Sequence, residues 1–155
     1  VTDVPKAPRR VTDPGLPPLR ELAPAPRRRG FRIAPPGWPG PADAASPVFL
    51  MAAAELWHSW LALAREQPRT ALWAQDKRSW RSLHVQRSPV FRFPDLVRAE
   101  IMALGPGRSS LVLESRSRFG CWDLGVNRRR VTRWLHDLQQ TLAPDSPRSR
   151  NGCQL

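Results

Sequence analysis

Apolar positions recur along this chain in two rhythms, and the change from one to the other marks its elements. Phe49, Ala53, Leu56, Trp57, Trp60, Leu61 and Ala64 fall three and four apart, as one face of a helix does. Ser46-Pro47 offers a helix start, with Ser as cap and Pro at the first helical position, and Gln67-Pro68 offers a stop. The rhythm then changes to alternation. Arg69–Gln75 alternates weakly, with Ala71 and Trp73 against Leu72 and Ala74. Trp80–Gln86 carries Leu83 and Val85 on one side. Val97, Ala99, Ile101 and Ala103 alternate with Arg98, Glu100 and Met102, and Leu111 and Leu113 alternate with Val112 and Glu114. Asp76-Lys77-Arg78-Ser79 and Gly105-Pro106-Gly107 read as turns. Helical spacing returns at Val131, Trp134, Leu135, Leu138 and Leu142, and Pro144 closes it.

The order is helix, four strands, helix. Short connections make the strands antiparallel neighbours, and both helices need a surface to cover. The expected fold is α+β: a four-stranded antiparallel meander with an N-terminal and a C-terminal helix packed on one face, an α-β-β-β-β-α two-layer sandwich. Trp57 and Trp60 are read as core, not as a ligand-stacking pair. The other sheet face carries Arg98, Glu100, Glu114, Arg116 and Arg118, and is expected to be wet or to meet a partner.

Composition sets the boundaries. Of the 18 prolines, 11 precede Ser46, in runs such as APAPRRRG and APPGWPGP. Such a stretch has little apolar surface to offset its ordering entropy. Residues 1–45 are therefore expected to be a disordered Pro/Arg-rich tail, 46–143 a single domain, and 144–155 a second disordered tail. Phe31, Ile33 and Trp38 are the positions in the first tail apolar enough to dock on the domain. No apolar run reaches membrane-spanning length and no secretory signal is seen, so the compartment is read as cytoplasmic by default.

The formal net charge of +12 divides as +4, +7 and +1 over these three segments. Almost all of the excess is Arg, which biased codon usage explains better than selection for a polyanion. Non-specific binding to nucleic acid at low salt still follows from it. Cys121 and Cys153 are the only cysteines, too few for a disulfide framework. His58, His84 and His136 are scattered, with no metal-ligand spacing, so neither metal nor cofactor is expected.

Most residues able to do chemistry gather where the last strand turns into the last helix. Alternation puts Ser115 and Ser117 on the face of Leu111 and Leu113; Phe119-Gly120 breaks it, and Asp123 or Asn127 can cap the helix. This segment, SRFGCWDLGVNRRRV, resembles the signature of the family known as domain of unknown function 1499. The matching positions are Ser115, Ser117, Arg118, Gly120, Asp123, Gly125, Asn127, Arg128 and Arg130, with a second match at Phe93-Pro94-Asp95. The resemblance covers roughly Val48 to Leu142. The chain departs from the family pattern at Glu114, where the pattern has Arg, and at Leu96, where it has a second Asp. An Asn-Cys-Val-Ser-Ser motif is absent. The family has no established activity, so the resemblance implies a domain and a site position but no reaction.

The candidate ligand-binding set is Asp95, Arg98, Ser115, Ser117, Arg118, Asp123, Asn127, Arg128 and Arg130. Free backbone N–H groups at a helix start and forked guanidinium groups both suit a small anion. The same residues can equally pin the turn to itself, with Asp123 and Asn127 as caps and Arg118 paired to Asp123 or Asp95. Catalysis has weaker support. Ser115 or Ser117 would need a base, and only the distant His84 offers one; Asp95 as a base is opposed by its arginines; Cys121 lacks a resolving partner. The expectation is a monomeric, non-enzymatic accessory domain that binds a small anion or a protein at 115–130. The alternatives are a nucleic-acid binder using the Arg-rich tail and sheet face, and a small hydrolase-like enzyme.

Overall fold

A computed structural model describes residues 15–26, 29–120 and 123–143. The expected tail 144–155, the first fourteen residues, Arg27, Arg28 and both cysteines lie outside the described residues.

The expected meander is present. Its strands are β3 (Thr70–Asp76), β4 (Arg81–Arg87), β5 (Pro94–Gly105) and β6 (Arg108–Ser117), each antiparallel to the next. The β5–β6 hairpin is the spine of the sheet, with Ile101 opposite Leu111 and Ala99 opposite Leu113. Its tight turn uses Gly107 at φ +63°, a left-handed conformation that glycine adopts without steric cost.

Among the described residues the sheet has six strands, not four. β1 (Gly30–Ala34) pairs antiparallel with β6, and β2 (Ala44–Ala45) runs parallel to β1, giving the order β2-β1-β6-β5-β4-β3. Both extra strands come from the segment expected to be a disordered tail, so the folded unit begins well before Ser46. The physical reason is edge protection. β6 is almost wholly buried, and without β1 its outer backbone groups would face solvent along a hydrophobic edge. Phe31 and Ile33 do dock: Ile33 is core and Phe31 packs against it.

The helices are α1 (Ala53–Glu66) and α2 (Val126–Leu142), both on one sheet face and touching each other. α1 starts later than Ser46-Pro47 implied. Phe49 instead bridges to Ser109 through both backbone bonds, and Ser110 Oγ donates to the Pro47 carbonyl, so 46–50 runs along the sheet end as extended chain. The helix start is then supported by Glu55, whose carboxylate accepts the Ala52 N–H. Trp60 and Trp134 meet at the centre, ring centroids 5.7 Å apart, over Val97, Ala99, Ile101, Leu111 and Leu113.

The opposite sheet face is largely covered, not wet. A 3-10 turn (Leu19–Glu21) lies on it, with Leu19 packed beside Ala34 and Val112, and Trp38 against them. The Leu19 N–H donates to Glu100 Oε2 at 2.8 Å. Beneath this cover Glu114, 1% exposed, accepts from Arg32 (2.5 and 2.9 Å) and from Arg98 (3.2 Å). The departure at Glu114 is thus matched by an Arg on the neighbouring strand, directly across in register.

Candidate functional site

Cross-strand register assembles a polar row at one end of the sheet. Gln86 of β4 faces Asp95 of β5, which faces Ser117 of β6. One row further in, His84 faces Val97, which faces Ser115. β4 therefore turns Ser82, His84 and Gln86 toward the helices. Leu83, which shares a face with Val85, stands opposite Arg98 on the other side. Apolar alternation read on β4 alone thus marks the face away from the core.

The start of α2 lies over these rows. Asp123 holds it: Oδ1 accepts the Gly125 N–H at 2.8 Å, and Oδ2 accepts the Asn127 side-chain amide at 2.6 Å and its backbone N–H at 3.3 Å. Asn127 is fully buried and bridges everything around it. Its Oδ1 accepts from Ser115 Oγ (2.6 Å) and Arg130 Nη1 (2.7 Å), while Nδ2 also donates to Ser117 Oγ (2.8 Å) and the Arg29 carbonyl (3.2 Å). Arg130, one helical step on, donates Nη2 to Asp95 Oδ2 at 2.6 Å, Nη1 to Ser115 Oγ at 2.7 Å and Nε to Gln86 Oε1. Burial pulls the Arg130 guanidinium below its ordinary value, and the Asp95 charge and hydrogen bond oppose that pull.

The nine candidate residues therefore divide. Asp95, Ser115, Ser117, Asn127 and Arg130 form one buried network, and the half-buried Asp123 joins it at the helix start. Arg98 lies on the opposite sheet face with Glu114. Arg118 and Arg128 are exposed and lie over aromatic rings, Arg118 over Phe119 at 5.8 Å and Arg128 over Phe31 at 5.7 Å. Sequence reasoning missed Gln86 and the Arg29 carbonyl. Gln86 was findable as a polar residue two places from His84 on one strand face; the Arg29 contact depends on β1.

The network's chemistry is mutual satisfaction. Both serine hydroxyls are engaged by Asn127 or Arg130, and the His84 ring packs instead against Trp60 and Trp134, centroids 5.9 and 6.5 Å away. Among the described residues no group of three or more His, Cys, Asp or Glu side chains is placed to hold a metal ion. Nor is any described helix long and apolar enough to cross a membrane.

Next to the network, the chain exposes aromatic rings. Phe91, Phe93 and Phe119 are 74%, 52% and 59% exposed, with Phe91 stacked on Phe93 at 5.6 Å and Phe93 tilted against Phe119 at 6.3 Å. Val90 and Leu124, on the same two loops, are also exposed. The β4–β5 loop that carries two of these rings is pinned by Ser88, which accepts the Phe93 N–H through Oγ and donates its own N–H to the Phe93 carbonyl.

A family model described as "Protein of unknown function (DUF1499)" matches residues 2–138. The chain belongs to this family. The match extends far upstream of Val48, as it should if β1 is part of the DUF1499 domain. No curated protein matches the sequence.

Proposed function

We propose that this DUF1499 chain is a non-enzymatic docking module. It holds an acidic protein partner at the strand-turn-helix 115–130 and the phenylalanine loops beside it. The observation that carries this reading is the cluster of Phe91, Phe93 and Phe119, held in contact with one another yet turned to solvent. Exposed apolar clusters on pinned loops favour interaction sites. Arg92 lies between two of these rings in sequence, Arg118 lies over the third, and Arg87 donates to the Arg92 carbonyl. That rim favours carboxylates around an apolar anchor.

A small-anion site inside the turn is less well supported, because a ligand there would have to displace hydrogen bonds that already satisfy Asn127 and Arg130. Nucleic acid is also less well supported. Phe91 stacks on Phe93 and Phe93 tilts against Phe119, which covers part of the ring faces bases would use, and Val90 and Leu124 offer no stacking surface.

The test is a random-peptide display selection on the full chain, followed by affinity measurements on a Phe93→Ser/Phe119→Ser variant. Enriched peptides are expected to carry Asp or Glu around an apolar residue. They are expected to bind the variant about tenfold or more weakly, while its melting temperature is little changed. Equal binding to the variant would overturn the reading. So would a preference for single-stranded DNA that falls steeply with salt and is lost in the same variant.

A further inference from the structure

A separate cavity of about 330 Å³ lies between α1 and the β3–β4 edge of the sheet, away from the turn. Trp57 and Leu61 of α1 and Leu72 of β3 line it with apolar surface. Arg65 and Lys77 bring two cationic side chains, and no carboxylate is among the described residues that line it. His84 lines it from the sheet.

Two observations set this cavity apart from a packing gap. The first is His84, which is 2% exposed while its Nδ1 has no hydrogen-bond partner among the described residues. Leaving a polar nitrogen buried and unpaired is destabilising, and a Phe or Leu at position 84 would remove that cost.

The second is the strand geometry. Leu72 pairs with His84 and Gln75 pairs with Ser82, with a register shift between Leu72 and Ala74. In a regular strand, positions 72 and 75 would face opposite ways; the bulge turns both onto the His84 face, where both line the cavity. The irregularity thus shapes the cavity wall, as bulges beside binding sites do.

We propose that this cavity is a binding site for a small organic acid with an apolar body. The body lies against Trp57, Leu61 and Leu72, the carboxylate meets Lys77 and Arg65, and His84 supplies a polar contact on the sheet side. The size falls at the lower end of small-molecule pockets, which suits a ligand of one ring or a short chain. Inorganic phosphate would leave the apolar wall uncovered, and a neutral hydrocarbon would leave the cations without a partner. A monocarboxylate satisfies both.

The probe is phenylacetate, titrated into the full chain and followed by NMR of the Trp57 indole and the His84 ring, with calorimetry in parallel. Saturable shifts centred on Trp57, Leu72 and His84 are expected. Phenylacetamide, of the same shape without the charge, is expected to bind about tenfold more weakly, and Lys77→Gln to weaken phenylacetate by a similar factor. Lys77 is exposed, so that variant is expected to fold normally. His84→Phe is expected to abolish the shifts at Trp57. The Phe93→Ser/Phe119→Ser variant is expected to bind phenylacetate as the parent does, which separates this site from the docking surface. The proposal fails if no saturable shift appears. It also fails if the shifts scatter over the arginine surface, if the amide binds as well as the acid, or if Lys77→Gln changes nothing.

Discussion

Arg130 Nη2 stands 2.6 Å from Asp95 Oδ2, and both side chains are more than nine-tenths buried. Removing one member of such a pair leaves the other as an uncompensated buried charge, at a cost of about 3–5 kcal/mol. Arg130→Met and Asp95→Leu should each lower the urea unfolding midpoint accordingly. The double variant should recover a substantial part of the loss, because two apolar groups need no partner. It should not recover all of it, since Gln86, Ser115 and Asn127 also lose Arg130. If the double variant is as unstable as the two single losses added together, the charge pair is not what the site contributes to stability.

The turn and α2 were legible because two short-range rules agree there. Strand alternation directs Ser115 and Ser117 inward, and helical spacing directs Asn127 and Arg130 onto the same side. The same alternation already separated Arg98 from the serines, and the structure keeps them on opposite faces. β1 was not legible, because five residues between proline-rich stretches carry too little local signal. What fixes them is Arg32 opposite Glu114, a pairing across 82 positions that no window along the sequence contains. β4 misled for another reason: its core-facing residues are Ser82, His84 and Gln86. Each is accommodated by a partner distant in sequence: Trp60 donates to Ser82, two indoles flank His84, and Arg130 reaches Gln86.

Residues 1–45 are part of the fold wherever they are described, so deleting them should not behave like trimming a tail. The deletion takes away β1 and β2, uncovers the β6 edge, removes Ile33 from the core, and leaves Glu114 with Arg98 as its remaining cation. The truncated chain is expected to lose its cooperative thermal transition or to precipitate, as exposed hydrophobic edges promote. Arg32→Met in the full chain should show the milder form, a loss of about 3 kcal/mol or more in urea unfolding. A truncated chain with an unchanged sharp transition would mean that the four-strand meander is self-sufficient and β1 only an accessory.

His84 supplies a pH dependence with a definite sign. Burial among Trp60, Trp134 and the α1 face pulls its pKa from 6.5 to about 4, and among the described residues no carboxylate lines its cavity to oppose that shift. Between those two values the unfolded chain binds a proton that the folded chain refuses, so protonation favours unfolding. The contribution of the neutral ring is complete above pH 6.5, declines as the pH falls, and is gone below 4. Integrated over that window it amounts to about 3 kcal/mol. His84→Gln keeps a polar side chain of similar size but cannot titrate. Between pH 7 and pH 4.5 the parent should therefore lose about 2–3 kcal/mol more stability in urea than the variant does, with carboxylate effects common to both cancelling in the difference. Parallel losses would mean that the ring accepts its proton without leaving the fold, which the two indoles against it and its near-complete burial oppose.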